Sequence, residues 1–183
     1  MKPAQYMVVV LPKLDAEAEL LRLRDRYGGQ PDAIPPYVQL TGVFTPSDLS
    51  EAASVNEYVS KARRRLHAIA ASFHSCFELG DKLLLKADQG AGELTALQRE
   101  VAGPEPTSFL AVEELPRSDL VLGRFPDPMA RTQVAAQVNR MGRVLGVIDA
   151  LVILRIGPED DWHITAQYPF GIGRVDYFER FLT

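Results

Sequence analysis

Residues that form disulfides or bind metals are scarce in this chain. Its 183 residues include one cysteine and three histidines. The single cysteine, Cys76, has no internal partner for a disulfide, which favours a reducing compartment over secretion. A zinc centre needs three or four ligands, and these residues do not supply them at usable spacing. The sequence therefore predicts neither a disulfide framework nor a metal or other cofactor.

Long apolar runs are also missing. The first residues, Met1 to Leu11, contain one lysine and an apolar stretch of only a few residues. A signal peptide needs a longer apolar region, and a membrane-spanning helix needs about 20 such residues. We therefore expect a cytoplasmic protein with no membrane partner.

The chain has no excess of positive charge. It carries 20 Lys and Arg against 24 Asp and Glu, a formal net charge of −4. Proteins that bind long nucleic acids usually show a basic footprint, so DNA is not an expected partner. A local basic patch at a small cleft remains open. Apolar residues at 46% and charged residues at 24% are typical of a globular protein, and the length fits one domain over residues 1–183.

Apolar periodicity predicts alternating strands and helices. The clearest helix is Ala52–Ile69, whose apolar residues recur every three or four positions, and a second helix follows Asp127-Pro128 with an apolar face that ends at Leu145. The predicted strands are Tyr6–Leu11, Tyr37–Phe44, Phe73–Leu79, Lys82–Lys86, Asp119–Phe125, Ala150–Ile156 and Trp162–Tyr168.

Two of the predicted connections are hairpins. Gly80-Asp81 is a two-residue turn between strands, and Gly157–Asp161 joins the last two strands. Hairpins join antiparallel strands, which disfavours a parallel doubly wound fold. The pattern predicts an α+β domain with helices packed on antiparallel sheet.

Three segments carry a resemblance to a known family. They are Ile34-Pro35-Pro36-Tyr37-Val38-Gln39-Leu40, then Leu120-Val121-Leu122-Gly123-Arg124-Phe125, and the closing Leu154-Arg155 with Tyr168-Pro169-Phe170-Gly171. Together with the element order they resemble the 2H phosphoesterase superfamily, which includes the 2'-5' RNA ligases and cyclic phosphodiesterases. The resemblance implies a two-lobed fold, with antiparallel sheets around a central cleft and helices on the outside.

The family motif is His-x-Thr or His-x-Ser on each of two strands. Residues i and i+2 of a strand face the same side, so two motifs place two imidazoles and two hydroxyls around a phosphodiester. One imidazole accepts a proton and the other donates one. By the resemblance, Tyr37 and Gln39 stand at the first motif and Asp119 and Val121 at the second, so no catalytic residue is expected. Tyr37, Gln39 and Arg124 remain candidate ligand-binding residues.

The histidines and an arginine run offer other interpretations. His163-Ile164-Thr165 has the His-x-Thr spacing but lies away from both motif positions, and an ordinary strand histidine is favoured. His74 and Cys76 share a strand at spacing two, without the further ligands that zinc requires. Arg63-Arg64-Arg65 either forms a solvated helix face or contacts phosphates, and the solvated face is favoured. His67 is expected to face solvent.

Two functions follow from these residues. The leading hypothesis is a degenerate superfamily member that binds a nucleotide, cyclic phosphate or RNA end without turning it over, or that has only a structural or partner-binding role. The alternative is an active phosphodiesterase or RNA ligase-like enzyme with a rearranged site built from Tyr37, Asp119, His163 and Arg124. The positions of His74 and His163 discriminate between them, because an enzyme needs its acid and base in one cleft.

Overall fold

The computed structural model describes residues 5–31, 34–46, 49–102, 117–157 and 161–178. These residues form ten strands, four α-helices and one 3-10 turn, Arg63–Arg65. The helices are α1 (Glu17–Arg26), α2 (Leu49–Ala62), α3 (Ala91–Ala102) and α4 (Pro128–Met141). The strands are β1 (Gln5–Val10), β2 (Lys13–Leu14), β3 (Tyr37–Gln39), β4 (Ile69–Leu79), β5 (Lys82–Ala87), β6 (Leu120–Arg124), β7 (Val144–Ile148), β8 (Ala150–Ile156), β9 (Trp162–Pro169) and β10 (Asp176–Tyr177).

All ten strands join one curled antiparallel sheet. Their order is β10-β9-β8-β1-β3-β6-β5-β4-β7-β2, which puts β3 and β6 side by side with four strands beyond each. Both predicted hairpins, β4–β5 and β8–β9, are present. The expected mixture of helices and antiparallel sheet is therefore confirmed. No helix in the described ranges has the length and apolar character to span a membrane.

The sheet buries apolar side chains on both faces. On one face, which we call the helix face, alternate strand residues such as Val8, Val38 and Leu85 pack with Leu20 of α1 and Val134 of α4. The opposite face holds a smaller cluster built from strand residues and the loop residue Ile34. We call it the motif face, and its buried members are Met7, Val9, Ile34, Tyr37, Leu84, Val121, Val152 and Leu154.

Two predicted helices end earlier than their apolar periodicity indicates. In the Ala52–Ile69 prediction, Ala52, Val55 and Val59 are buried as expected, but the helix ends at Ala62. Ile69 instead opens β4 and pairs with Ile148, because a β-branched residue fits a strand ladder well. Leu145, predicted as the last residue of the α4 face, lies on β7 and is 49% exposed.

The predicted strand Tyr37–Phe44 is interrupted. Its ladder ends at Gln39, because the Thr41 hydroxyl replaces a backbone carbonyl as the acceptor for the Val8 N–H, at 3.0 Å. The chain rejoins β1 at Phe44, whose N–H donates to the Tyr6 carbonyl at 2.9 Å. The strands β2, β7 and β10 were not predicted, and two of them are only two residues long.

Candidate functional site

Strands β3 and β6 bring together the four residues that the resemblance aligns with the motifs. Tyr37 pairs with Val121 and Val38 pairs with Leu120 in an antiparallel register. One residue further, this register places Gln39 beside Asp119. The first position of each motif therefore lies opposite the second position of the other, and alternation directs all four toward one face. Tyr37 and Val121 belong to the motif-face cluster.

The Tyr37 phenol is buried against apolar neighbours. The residue is 4% exposed, and its ring centroid lies 5.9 Å from that of Trp162 at an interplanar angle of 39°. Burial raises the pKa of Tyr37 to about 12, against a smaller lowering by the charges of Arg124 and Arg24. A phenol with this pKa stays protonated near neutral pH, so it can donate a hydrogen bond but cannot act as a general base.

The Asp119 carboxylate is held by protein groups on both oxygens. Oδ1 accepts the Ala87 backbone N–H at 3.0 Å, at the end of β5. Oδ2 accepts Nε of Arg117 at 2.7 Å, and the Arg117 guanidinium lies 5.1 Å from the Phe77 ring centroid. At 7% exposure Asp119 joins two strands and anchors Arg117. This arrangement explains the residue without a catalytic proton transfer.

Gln39 is half-buried and connects the motif face to α3. The Gln39 Nε2 donates to the Thr41 backbone carbonyl at 2.7 Å, and the Gln39 backbone carbonyl accepts a hydrogen bond from Nε2 of Gln98 at 2.8 Å. Gln98 in turn accepts the Ser118 hydroxyl at 2.9 Å. The Gln39 amide oxygen carries the remaining acceptor capacity of the side chain.

Arg124 faces the same side as Tyr37, because it pairs with Lys82, which lies two residues from the motif-face residue Leu84 on β5. It forms an ion pair with Asp81 in the Gly80-Asp81 turn, with Nε and Nη2 2.8 and 2.7 Å from Oδ2. This hydrogen-bonded guanidinium holds the pKa of the Asp81 carboxyl below its usual range. The Arg124 side chain is 44% exposed, so a ligand can still reach its outer face.

A buried arginine beneath the site was not predicted. Arg24 of α1 is 1% exposed and donates from Nη1 to the Ile34 carbonyl at 2.5 Å. Its aliphatic part passes Gly29 and Gly123, where a Cβ atom would lie 2.5 and 3.1 Å from Arg24 carbons. Arg24 follows Leu20 by one helical turn and directly follows Leu23, and both leucines are buried apolar residues of α1. That position was the signal in the sequence, because an arginine there must be buried with its charge.

The histidines lie on strands far apart in the sheet. Five strands separate β9, which carries His163, from β4, which carries His74, a path of roughly 29 Å along the sheet. His163 pairs with Arg155, and its neighbours Trp162 and Ile164 pack on the motif face, so His163 points to the opposite face. His74 pairs with Lys86, two residues from Leu84, which places it on the motif-face side. The structure therefore does not bring His74 and His163 into one cleft.

The His163-Ile164-Thr165 match does not form a second motif. His163 Nε2 lies 3.0 Å from Asp161 Oδ2, with the imidazole 45% exposed. The Thr165 hydroxyl is buried and donates to the Ile153 carbonyl at 3.0 Å. The register shift between β8 and β9 at this point removes the simple alternation that would align the two side chains.

A β-bulge separates His74 from Cys76, which sequence spacing placed on one strand face. Ser75 has a φ of +54°, and the ladder register shifts between His74 and Cys76. His74 pairs with Lys86 while Cys76 pairs with Leu85, so the two side chains point to opposite faces. Burial raises the pKa of the Cys76 thiol to about 12, which disfavours the thiolate that binds metals. The described ranges contain no group of three His, Cys, Asp or Glu side chains placed to hold a metal.

The arginine run divides into one buried and two exposed residues. It forms the 3-10 turn after α2, not the helical face that was predicted. Arg63 is 7% exposed and donates from Nη1 to the carbonyls of Pro169 and Gly173 at 3.0 and 2.6 Å. Arg64 and Arg65 are exposed, as is His67 in the connection to β4.

Comparison with known proteins yields a likeness in fold. No family model matches the chain, and no curated protein sequence matches it. The structure of Usb1 from Kluyveromyces marxianus superposes with a TM-score of 0.54 at 11% identity, covering 92% of this chain and 99% of Usb1. Usb1 with uridine monophosphate gives a TM-score of 0.54 at 12% identity, covering 91% and 98%. At this identity the likeness shows the fold alone.

Proposed function

We propose that this protein is a degenerate 2H phosphoesterase that binds a nucleotide or RNA end on the motif face without two-histidine chemistry. One observation carries the proposal. The four motif positions meet across the β3–β6 ladder, yet they hold Tyr37, Gln39, Asp119 and Val121. The frame in which the superfamily places its cleft is kept, while the groups that move protons are replaced.

The replacements argue against proton transfer at this site. The phenol of Tyr37, with a pKa of about 12, is not a base near neutral pH, and the Asp119 carboxylate already accepts two hydrogen bonds. Val121 has no polar side-chain atom to hold a phosphate oxygen. A general acid and a general base each contribute about 10²–10⁴-fold to a rate, so their joint loss removes most of the catalysis.

Binding is supported by the accessible groups around Tyr37. Gln39 is half-buried with a free amide oxygen, Arg124 is 44% exposed, and the Trp162 ring is only partly covered. A guanidinium recognises phosphate oxygens, and an aromatic ring stacks on a base. The fold likeness to the structure of Usb1 with uridine monophosphate makes that nucleotide the first ligand to test.

The test is a titration of the protein with uridine monophosphate, followed by calorimetry and thermal shift. We expect binding that is abolished in the double variant Gln39→Ala/Arg124→Ala, because ligand binding to the folded state raises its stability. The matched control is Gln133→Ala/Arg140→Ala, which removes the same residue types from exposed positions on α4. Unchanged binding in the first variant would place the ligand elsewhere. No binding of uridine monophosphate, cyclic phosphates or short RNA ends would leave a structural or partner-binding role instead.

A further inference from the structure

A basic groove lies between α2 and α3, on the opposite side of the sheet from the motif face. It encloses about 880 Å³ and is lined by Tyr58, Lys61, Ala62, Arg64, Arg65, Ala96, Arg99 and Glu100. Val59 of α2 and Leu97 of α3 pack into the helix-face core, so the groove opens on the outer side of that layer. It therefore shares no residue with the site of the proposed function.

The spacing of its residues explains the shape of the groove. Tyr58, Lys61 and Ala62 lie at i, i+3 and i+4 on α2, so they line one wall, which Arg64 and Arg65 of the 3-10 turn continue. Ala96, Arg99 and Glu100, at i, i+3 and i+4 on α3, form the facing wall. The short side chains Ala62 and Ala96 leave the space between the walls open. The Tyr58 hydroxyl donates to the Glu100 carbonyl at 2.5 Å and joins the two helices at one point.

Positive charge is concentrated in this groove although the whole chain is acidic. Four cations and one carboxylate line it, in a chain with a formal net charge of −4. Lys61 forms an ion pair with Glu57 at 2.6 Å. Arg64, Arg65 and Arg99 are exposed, and no residue of the described ranges forms an ion pair with any of them. Within the described ranges, three guanidinium groups on two facing walls therefore line one volume together with a single carboxylate, that of Glu100.

We infer that this groove binds the phosphodiester backbone of a single-stranded nucleic acid. Guanidinium groups pair with phosphate oxygens through two parallel hydrogen bonds, and three of them along a groove match a chain of phosphates. The half-buried Tyr58 ring, fixed by its hydroxyl, supplies a rigid aromatic surface for a base. An acidic peptide would use the charges but not this ring.

The test measures binding of a fluorescein-labelled oligouridylate of about ten nucleotides by fluorescence anisotropy at several salt concentrations. In the variant Arg64→Gln/Arg65→Gln/Arg99→Gln, three phosphate contacts are lost. We expect affinity to fall about a hundredfold near 0.1 M salt, and the slope of log K against log salt to become shallower by about 2. The deoxy oligomer should show the same change, because the contacts are to the backbone.

The control variant Arg22→Gln/Arg26→Gln/Arg140→Gln makes the same change in net charge on exposed positions of α1 and α4. Affinities of the two variants within about twofold of each other would overturn the proposal, since general charge would then explain the binding. A labelled polyglutamate whose affinity depends equally on the groove would overturn the assignment to nucleic acid. Lysine replacements at Arg64, Arg65 and Arg99 should keep the salt slope of the parent. They therefore separate the effect of lost charge from that of misfolding.

The outcome is independent of the motif-face proposal. The groove variant should bind uridine monophosphate as the parent does, and Gln39→Ala/Arg124→Ala should keep the salt slope of oligomer binding. If the prediction of oligomer binding in the groove fails, the test of the motif face is unaffected, and the reverse also holds.

Discussion

The resemblance aligns Tyr37 with a catalytic histidine, and the surroundings of Tyr37 suit a neutral phenol. Burial raises its pKa to about 12, while an imidazole at the same place would lose free energy each time it became charged in this apolar cluster. The apolar cluster therefore suits a neutral side chain better than a charged one at this position.

At the residue scale we predict that Tyr37→Phe changes the free energy of unfolding little near neutral pH. In alkali, the variant should be more stable than the parent. Below pH 10 the phenol is protonated in both states; above it the unfolded chain ionises first, so stability is lost as the pH rises toward about 12. At pH 11 this single group costs about 1 kcal/mol. Urea unfolding at pH 8 and pH 11 measures the effect. The variant should lose about 1 kcal/mol less than the parent between the two pH values, and parallel losses would show that the phenol is not buried as described.

At the element scale, the β4 bulge determines which face each residue of the hairpin presents. The left-handed conformation of Ser75, with φ +54°, inserts one residue and turns Cys76 into the helix face while His74 stays on the other. A single residue thus removes a pair of neighbouring metal ligands that spacing alone suggested. Non-glycine residues adopt this conformation at a cost of about 1–2 kcal/mol.

We therefore predict that Ser75→Gly stabilises the protein by about 0.5 kcal/mol, because the strain removed exceeds the entropy that glycine loses on folding. Ser75→Val should destabilise it by at least about 1 kcal/mol, since a branched side chain tolerates this conformation poorly. Ser60→Gly, in the interior of α2, is a control with the opposite sign. Denaturant unfolding measures all three. A lower stability of Ser75→Gly than of the parent would contradict the bulge.

Apolar periodicity predicted the elements whose pattern is regular. It failed where pairing with a strand distant in sequence determines the secondary structure of a segment. The stripe of α2 was correct as far as Ala62, and both hairpins were correct. Ile69 continues the helical spacing, yet its partner Ile148 lies far along the chain, and no local pattern reveals that pairing. The Ser75 bulge and the Thr41 interruption of β3 are likewise invisible in residue type.

The ligand-binding role of Tyr37, Gln39 and Arg124 stays a prediction, and the interactions of these side chains could not be predicted from the sequence. Motif resemblance placed Tyr37 and Val121 near each other, and the β3–β6 ladder pairs them directly. The ion pair of Arg124 with Asp81 depends on the hairpin turn of another strand pair, and the burial of Arg24 depends on the path of the loop to Ile34. Such contacts arise from tertiary packing, which a motif does not contain.

At the scale of the whole molecule, the sheet keeps the potential acid–base groups apart. β3 and β6 form its centre, whereas His163 lies on β9 and His74 on β4, on opposite faces. Along the sheet, β4 lies two strand spacings, about 10 Å, from β6, and β9 lies three spacings, about 14 Å, from β3. Both roles in proton transfer require hydrogen-bonding contact with the substrate.

We therefore predict that highly purified protein does not hydrolyse 2',3'-cyclic nucleotides or join RNA ends by the two-histidine route. Loss of both proton-transfer groups, at about 10²–10⁴-fold each, should leave rates at background. The assay compares the parent with Asp119→Ala and His163→Ala, which also reveals a contaminating phosphodiesterase because contaminant activity would be equal in all three. Robust turnover that disappears in either variant would instead establish a rearranged active site.

A gain of activity on introducing Tyr37→His, Gln39→Thr, Asp119→His and Val121→Thr together, with none in the parent, would show that the β3–β6 frame still holds a phosphodiester. That gain must overcome the loss of the Asp119 contacts to Ala87 and Arg117, so the variant's folding is checked first by its unfolding transition.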